Sequence, residues 1–169
     1  LKGVNNDSLL DADGQTGSIV AKDAYRFSLN YFNGDYHAIG NSVASVFPGH
    51  TAYMGVNAAD YKPLYNGNIS SMVVGIPKVG ETKLYNYAYD QQARLVKMDT
   101  WKGYNAANSS WSSLQKTEEY QERISYDGNG NIKTYLRNGN NNQLAMDSLT
   151  YQYAKNSDGN ILNNRLRYV

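Results

Sequence analysis

The segment of residues 126–132 constrains the fold of this chain more than any other stretch. Its sequence is Tyr-Asp-Gly-Asn-Gly-Asn-Ile, and it lies between strand-like runs at residues 124–126 and 132–136. Asp-Gly and Asn-Gly pairs adopt positive φ angles with little strain, so the backbone can reverse tightly between two antiparallel strands. The segment therefore predicts a β-hairpin.

Variants of this segment recur along the chain, and together they form a repeated turn motif. The spacing between the residues that close the turns varies over roughly 25 to 40 residues, so the motif lacks the fixed period of a strict solenoid. We interpret the repeated residues as structural. They are Tyr65, Gly67, Asn68 and Ile69; Tyr89, Asp90, Arg94 and Leu95; Tyr126, Asp127, Gly130, Asn131 and Ile132; and Tyr153, Asp158, Gly159, Asn160 and Ile161.

Alternating apolar and polar residues between the turns predict β-strands. A first hairpin is expected within residues 23–40, reversing at Asn33 and Gly34. No segment keeps the period of an α-helix for three turns. The sequence therefore predicts an all-β fold, an antiparallel sheet of successive β-hairpins that is an open, curved segment of a larger β-shell. Further strands are predicted at 69–74, 84–89, 95–101, 118–126, 132–137, 147–153 and 162–168.

The length of 169 residues fits one domain. Residues 1–22 are polar and rich in turn signals, which predicts a connecting loop. Residues 23–169 form the hairpin repeats. Within them, residues 41–63 are less regular and are expected to be an insertion, with a short helix around residues 57–61.

Composition limits both the core and the partners of the chain. There are 16 Tyr but only 3 Phe and 2 Trp, which predicts a tyrosine-rich core with hydroxyls that reach water or an acceptor. A formal net charge of +1 argues against a nucleic-acid partner. The sequence has no cysteine and no apolar run long enough to cross a membrane, so we expect no disulfide and no membrane insertion.

The repeats resemble the tyrosine-aspartate (YD) repeats of the Rhs family. Residues 89–96 and 126–132 carry the resemblance, and residues 23–40 and 146–169 are similar to stretches in Rhs proteins of Bacteroidetes-type bacteria. The resemblance implies a sheet of hairpins that spirals into a shell around a C-terminal toxin or effector, in a secreted or cell-surface protein. It also implies that this chain is a fragment whose partners are the rest of a larger parent chain and that effector.

Two features depart from the family pattern. The double Asp-Pro-x-Gly motif associated with self-cleavage is missing, because Pro48, Pro63 and Pro77 lie in other contexts. The 169 residues include no toxin-like domain, so neither self-cleavage nor toxicity is expected of these residues themselves. A segment taken from a shell would also have unpaired sheet edges, so we expect self-association through those edges.

The sequence predicts no catalytic residue, no cofactor and no metal site. Residues 11–14 and 127–131 resemble incomplete calcium loops, and turn chemistry explains both. Two histidines, His37 and His50, lack the partners of a metal or nucleophile site. The densest acidic group is Glu118, Glu119 and Glu122, which we interpret as a strand face in solvent rather than a glycosidase pair.

Aromatic residues suggest the alternative function, a carbohydrate-binding surface module. Trp101 and Trp111 are the candidate sugar platforms, together with the tyrosines at 85, 87, 89, 151 and 153. Aromatic faces pack on sugar C–H groups, while neighbouring Asn and Gln can bond hydroxyls. Cross-strand packing within the sheet is the competing explanation for the same pattern.

Overall fold

The computed structural model describes residues 2–5, 24–37, 39, 62–105, 111 and 114–169. Its regular structure is made of β-strands and confirms the predicted all-β fold of successive antiparallel hairpins. Within the described ranges no helix is long and apolar enough to cross a membrane. The strands are β1 (Gly3–Val4), β2 (Arg26–Asn30), β3 (Ser71–Gly75), β4 (Lys83–Tyr89), β5 (Leu95–Lys102), β6 (Gln115–Tyr126), β7 (Ile132–Asn138), β8 (Ala145–Thr150), β9 (Gln152–Lys155) and β10 (Ile161–Tyr168).

Strands β1 to β8 form one sheet in which each strand lies beside the next strand in the sequence. Strands β9 and β10 form a separate antiparallel pair. The predicted strand at 147–153 is divided at Tyr151 between β8 and β9.

The predicted hairpin at Asn33 and Gly34 is wrong. A reversal is present, with Gly34 at φ 74° and the Asp35 N–H bonded to the Phe32 carbonyl over 3.3 Å. No strand follows it in residues 35–37. Strand β2 pairs instead with β1 and with β3, which begins at Ser71. A local turn signal sets the reversal, but the partner strand is set by distant contacts.

Other predictions for the first third of the chain are only partly covered. The predicted connecting loop at 1–22 contains the short strand β1. Residues 6–22 of that predicted loop, residues 41–61 of the insertion predicted at 41–63, and the short helix predicted around 57–61 lie outside the described residues.

The chain forms two compact units. The first comprises Leu1–Tyr87 with Thr100–Thr117, and the second comprises Ala88–Asp99 with Glu118–Val169. Strands β4, β5 and β6 therefore contribute residues to both units.

The hydrophobic core of the first unit is small and contains no tyrosine among the described residues. It consists of Val73, Leu84, Trp101 and Leu114, with Trp111 packed against it. The tyrosine-rich core is thus not found in this part of the chain, because alternation on β4 buries Leu84 while Tyr85 and Tyr87 are only half-buried. A tyrosine whose hydroxyl stays near water avoids the free-energy cost of desolvating that hydroxyl.

Polar side chains extend the buried face beside this core. Asn30 lies opposite Ser71, which lies opposite Asn86, and all three are buried. The next row across the same strands is Ser28, Val73 and Leu84. These rows follow directly from the two-residue period of a strand, which places alternate residues on one face.

Candidate functional site

The repeated motif forms three turns with one backbone geometry, which we name turn A (residues 90–94), turn B (127–131) and turn C (156–160). In each turn the first residue donates its N–H to the carbonyl of the fifth, over 3.0, 2.9 and 2.9 Å respectively. The fourth residue donates its N–H to the carbonyl of the first, over 3.0, 3.1 and 3.1 Å. The repeat is therefore a structural unit and not only a similarity of sequence.

The side chain of the first residue caps each turn. Its Oδ1 atom accepts hydrogen bonds from the backbone N–H groups of the third and fifth residues. This satisfies two backbone donors that a tight reversal leaves without partners. The capping residues are Asp90 in turn A, Asp127 in turn B and Asn156 in turn C.

Turn C differs from the sequence alignment of the repeats. Asp158, the aspartate that the repeated motif includes here, is the third residue of the turn and donates its own N–H to Asn156 Oδ1 over 3.1 Å. Asn156 takes the capping position because Asp and Asn share the acceptor atom that the turn requires. A search of the sequence for Asp or Asn three residues before the turn glycine would have identified Asn156, which precedes Gly159 by three positions.

The fourth residue of each turn has a left-handed backbone. Its φ angle is 60° at Ala93, 89° at Gly130 and 82° at Gly159. Glycine occupies this conformation without steric cost, whereas a Cβ atom clashes with the neighbouring carbonyl. Turn A therefore carries strain that turns B and C do not.

Replacing Ala93 with glycine is expected to raise the free energy of unfolding by up to about 1 kcal/mol, the cost of a left-handed L-residue. The reverse change, Gly130→Ala, should lower it by about 1 kcal/mol, because the new Cβ meets only ordinary contacts and the strain is in φ alone. Urea unfolding would measure both. Gly128→Ala is the control, since φ at Gly128 is not positive and its added Cβ meets nothing; an equal loss there would contradict the account.

The unit at Tyr65 to Ile69 does not share this geometry. Asn66 Oδ1 accepts the N–H of Asn68 over 3.1 Å, and Gly67 has φ 86°. The positive φ angle thus follows the capping residue directly instead of three residues later. Tyr65 is 76% exposed and stacks on Phe32, with ring centroids 4.7 Å apart.

Tyrosine hydroxyls connect each of two turns to a following strand. The Tyr126 hydroxyl donates to the carbonyl of Leu95 over 2.8 Å, and the Tyr153 hydroxyl donates to the carbonyl of Ile132 over 3.0 Å. Leu95 and Ile132 are the residues that directly follow turns A and B. We call these two bonds the tyrosine latches. Each latch joins the tyrosine of one repeat to the backbone of the residue that closes the turn of the previous repeat.

The fifth residue of turns A and B also reaches beyond its own turn. Arg94 donates Nε–H to Asp90 Oδ2 over 2.6 Å, and its guanidinium lies 4.5 Å from the centroid of the Tyr126 ring. Asn131 donates Nδ2–H to Asp127 Oδ2 over 2.8 Å and to Asn164 Oδ1 over 3.0 Å. Side chains therefore join successive repeats, including turn B to β10, which lies outside the main sheet.

Loss of a tyrosine latch is expected to destabilise the fold. Tyr126→Phe and Tyr153→Phe should each lower the free energy of unfolding by about 1 kcal/mol, because each leaves a carbonyl without its donor. Chemical unfolding of the two variants would measure this. Tyr168→Phe is the matched control, since Tyr168 is 59% exposed. Losses no greater than that of the control would show that the latches contribute nothing.

Hydrogen bonds lower the pKa of both capping aspartates. At Asp127 the main cause is the bond from the Asn131 side chain, with burial opposing it and the backbone N–H groups of Asn131, Asn129 and Gly130 adding to it. At Asp90 burial is the largest influence and raises the pKa, but hydrogen bonds from Arg94 and Gln92 together outweigh it. Both carboxylates therefore stabilise the turns in their charged form.

Acid should weaken turns A and B. The pKa of Asp127 is lower when folded than the unfolded value of about 3.9, so its contribution is complete above that pH and is lost as pH falls through the folded pKa. Asp127→Asn keeps the Oδ1 acceptor, as Asn156 does in turn C, and removes the titration. We expect its melting temperature to fall less steeply below about pH 4 than that of the wild type.

Thermal melts across acidic pH test this expectation. Asp158→Asn serves as the matched control, because it makes the same chemical change at a position that does not cap its turn. An acid limb that is equally steep in wild type and Asp127→Asn would contradict the assignment.

A cleft of about 780 Å³ lies within the second unit. It is bounded by turn B, by the start of β7, by the residues that join β8 to β9, and by the end of turn C. Its described lining includes Lys133, Tyr151, Gln152 and Lys155. Tyr151, between β8 and β9, still donates its backbone N–H to the Lys133 carbonyl over 2.9 Å. No sequence pattern indicates this cleft.

The predicted tryptophan platform is not present at Trp101. That side chain is 2% exposed and belongs to the hydrophobic core, with the Lys116 Nζ 5.5 Å from its ring centroid. Trp111 is half-buried, packs against the same core and meets the Tyr104 ring edge-on at 5.1 Å. Asp99, Thr100 and Trp101 are consecutive and all buried, so both faces of β5 are covered there, which two-residue alternation does not predict.

The other candidate residues do not converge. Glu119 is buried and Glu118 is exposed, so their side chains do not share a surface. His37 is exposed, whereas His50 and residues 11–14 lie outside the described part. In the described part of the chain no group of three His, Cys, Asp or Glu residues is placed to hold a metal ion. In turn B, both Asp127 oxygens accept N–H groups instead.

Comparisons with known proteins give no further guide to the family. No family model, no curated protein and no solved structure matches this chain.

Proposed function

We propose that this chain is a non-catalytic structural segment of a larger secreted or cell-surface protein of the Rhs/YD-repeat type. In this proposal its hairpins contribute to a β-shell that encloses a C-terminal toxin or effector. Its partners are the rest of the parent chain and that effector. The resemblance of the repeats to those of the Rhs family motivates the identity of the parent protein.

The tyrosine latches are the observation that carries the proposal. The residues that define the motif use their polar atoms within the chain: the capping oxygens bind backbone N–H groups, and the hydroxyls of Tyr126 and Tyr153 bind backbone carbonyls. The motif is repeated along the chain, and its polar atoms form hydrogen bonds within the chain. Such a motif is suited to joining hairpins in series and leaves few polar groups to bind a substrate.

A series of hairpins joined by tyrosine latches would also suit the wall of the proposed β-shell. Each latch joins one repeat to the residue that closes the previous turn, so hairpins can be added without a new type of contact. Isolated hairpins are marginal in water, and they become stable when their faces and ladders are shared. An isolated segment of such a series has unpaired edge strands, and we expect a second copy of the chain to bind there.

Carbohydrate binding through Trp101 receives no support from its buried position. The cleft beside turns B and C, lined by Tyr126, Tyr151 and Tyr153, is a separate surface.

The mass of the native product tests the proposed role. Antibodies raised against this chain would isolate the product from its own cells and medium, and mass spectrometry would give its intact mass. A product much larger than 18.9 kDa, exported and containing sequence beyond these residues, is expected. A native product of 18.9 kDa would refute the shell.

A further inference from the structure

A lysine, an asparagine and an aspartate meet beside the first strand of the sheet. Lys2 Nζ donates to Asn30 Oδ1 over 3.0 Å and to the two carboxylate oxygens of Asp35 over 2.6 and 2.7 Å. Asn30 and Asp35 are 28 and 33 positions from Lys2 along the chain, so folding brings the three groups together. We call these three residues the Lys2 cluster.

The backbone around the Lys2 cluster holds each member in place. The Leu29 N–H donates to the Lys2 carbonyl over 2.7 Å, next to the paired residues of β1 and β2. Asn30 is the last residue of β2, which lies between β1 and β3 in the sheet. Asp35 Oδ2 accepts the Tyr31 N–H over 2.8 Å, which fixes the carboxylate. Groups held in this way need little further ordering before they react.

The Lys2 cluster is largely shielded from water. Asn30 is 1% exposed, and the side chains of Lys2 and Asp35 are 12% and 8% exposed. The Asn30 Nδ2 atom is buried and has no hydrogen-bond partner among the described residues. A buried amide donor without an acceptor costs free energy, and few such donors occur in folded proteins. A reaction that removed this nitrogen would remove that cost.

We propose that Lys2 and Asn30 form an intramolecular isopeptide bond, with Asp35 as the proton acceptor. An amide C=O bond is about 1.23 Å long, so Lys2 Nζ lies at most about 4.2 Å from Asn30 Cγ. Reacting atoms in a near-attack arrangement lie about 3–3.5 Å apart, so small side-chain rotations close the remaining gap. Asp35 is already hydrogen-bonded to the nucleophile, as general-base catalysis requires.

The atoms and charges of this reaction balance within the three side chains. Nζ gives one proton to Asp35, and its lone pair then attacks Cγ and forms the new carbon–nitrogen bond. A second proton moves from Nζ to Nδ2, the Cγ–Nδ2 bond breaks, and ammonia leaves with the bonding electron pair. The ammonia takes the proton that Asp35 held, so it departs as ammonium and the carboxylate is restored.

The cross-link anchors a strand that is otherwise short. Strand β1 has two residues, and the new bond attaches the residue before it to the end of β2. The bond closes a loop over residues 2–30 and so restricts the unfolded chain, as a disulfide does. This effect concerns the fold of the chain itself and does not depend on the identity of the parent protein.

Mass spectrometry of the purified chain tests the proposal. We expect the folded wild type to be lighter than its sequence mass by one ammonia, and a protease digest to contain a branched peptide that joins Lys2 to Asn30. Lys2→Arg keeps a positive charge beside Asp35 but lacks the nucleophilic amine, so it should have its full sequence mass. Asp35→Ala keeps both reacting groups and should form the bond about a hundredfold more slowly, the loss expected for a general base.

Lys97→Arg is the matched control. It makes the same change in a lysine that pairs with Asp99 outside the Lys2 cluster, and it should still lose one ammonia. A folded wild type that keeps its full sequence mass after prolonged incubation would overturn the proposal. An ammonia loss that maps to another asparagine would overturn it as well, and so would the loss of one water, which indicates a bond to Asp35 instead. Because the wild-type mass decides the question, a variant that fails to fold does not obscure the result.

Thermal unfolding tests the anchoring effect separately. Lys2→Arg should melt roughly 5–10 °C below the wild type, the effect expected for loss of a covalent cross-link in a chain of this size. Lys97→Arg should melt close to the wild type. Equal melting temperatures for the wild type and Lys2→Arg would contradict a cross-link that anchors β1. None of these outcomes bears on the mass of the native product in its own cells.

Discussion

Replacement of Trp101 with alanine is expected to lower the free energy of unfolding by about 4 kcal/mol, within the range for deleting a buried aromatic side chain. The side chain is 2% exposed and packs in one cluster with Val73, Leu84 and Leu114. The core is small, so its other members cannot fill the space that the indole leaves. Urea unfolding monitored by circular dichroism would measure the loss.

The same variant separates a structural role from a binding role. Trp111→Ala is the matched control, because Trp111 is only half-buried at the edge of the same cluster and should cost less. A Trp101→Ala protein that kept wild-type stability but lost glycan binding would show that this residue forms a surface platform, contrary to its position in the structure.

Removal of the Arg123 side chain is expected to cost about 2 kcal/mol, below the range for breaking a fully buried ion pair, because the arginine itself is 36% exposed. Its guanidinium lies 2.5 Å from Asp99 Oδ1 and also donates to the Met98 carbonyl over 2.8 Å. The Asp99 side chain is 3% exposed, so the carboxylate cannot recover the lost bond from water. Lys97 remains 2.7 Å from Oδ2 and limits the loss.

A second arginine provides the control for this prediction. Arg137 pairs with Asp147 over 2.6 Å, but both side chains are more exposed, at 41% and 29%. Arg137→Ala should therefore cost less than about 1 kcal/mol, as for most surface ion pairs. Unfolding experiments that give equal losses for Arg123→Ala and Arg137→Ala would contradict the burial argument. Arg123→Lys should fall between wild type and Arg123→Ala, because an ammonium keeps the charge and loses the two-pronged geometry.

Local features of this chain could be predicted from its sequence. Turns A and B depend on residues no more than four positions apart, and Asp, Asn and Gly determine such bonds directly. The burial pattern of β2 and β3 follows from two-residue alternation alone. These predictions needed no knowledge of what each strand packs against.

Distant contacts could not be predicted in the same way. The Tyr126 latch joins residues 31 positions apart, and nothing in either residue indicates its partner. Strand β2 has a turn signal immediately after it, yet it pairs with β3, which begins at Ser71. The burial of Trp101 and the cleft at Tyr151 depend on which face of the sheet is covered and where β8 ends. Alternation predicts two faces but not which one becomes the core.

Hydrogen–deuterium exchange of wild type and Tyr153→Phe tests the central claim most directly, which is that latches join successive repeats. We expect faster exchange in Tyr153→Phe both around turn B, where Ile132 loses its donor, and around residues 152–161, with little change in β2 and β3. Exchange that quickens only at residue 153, or not at all, would contradict the account, because turns B and C would then open independently of the latch.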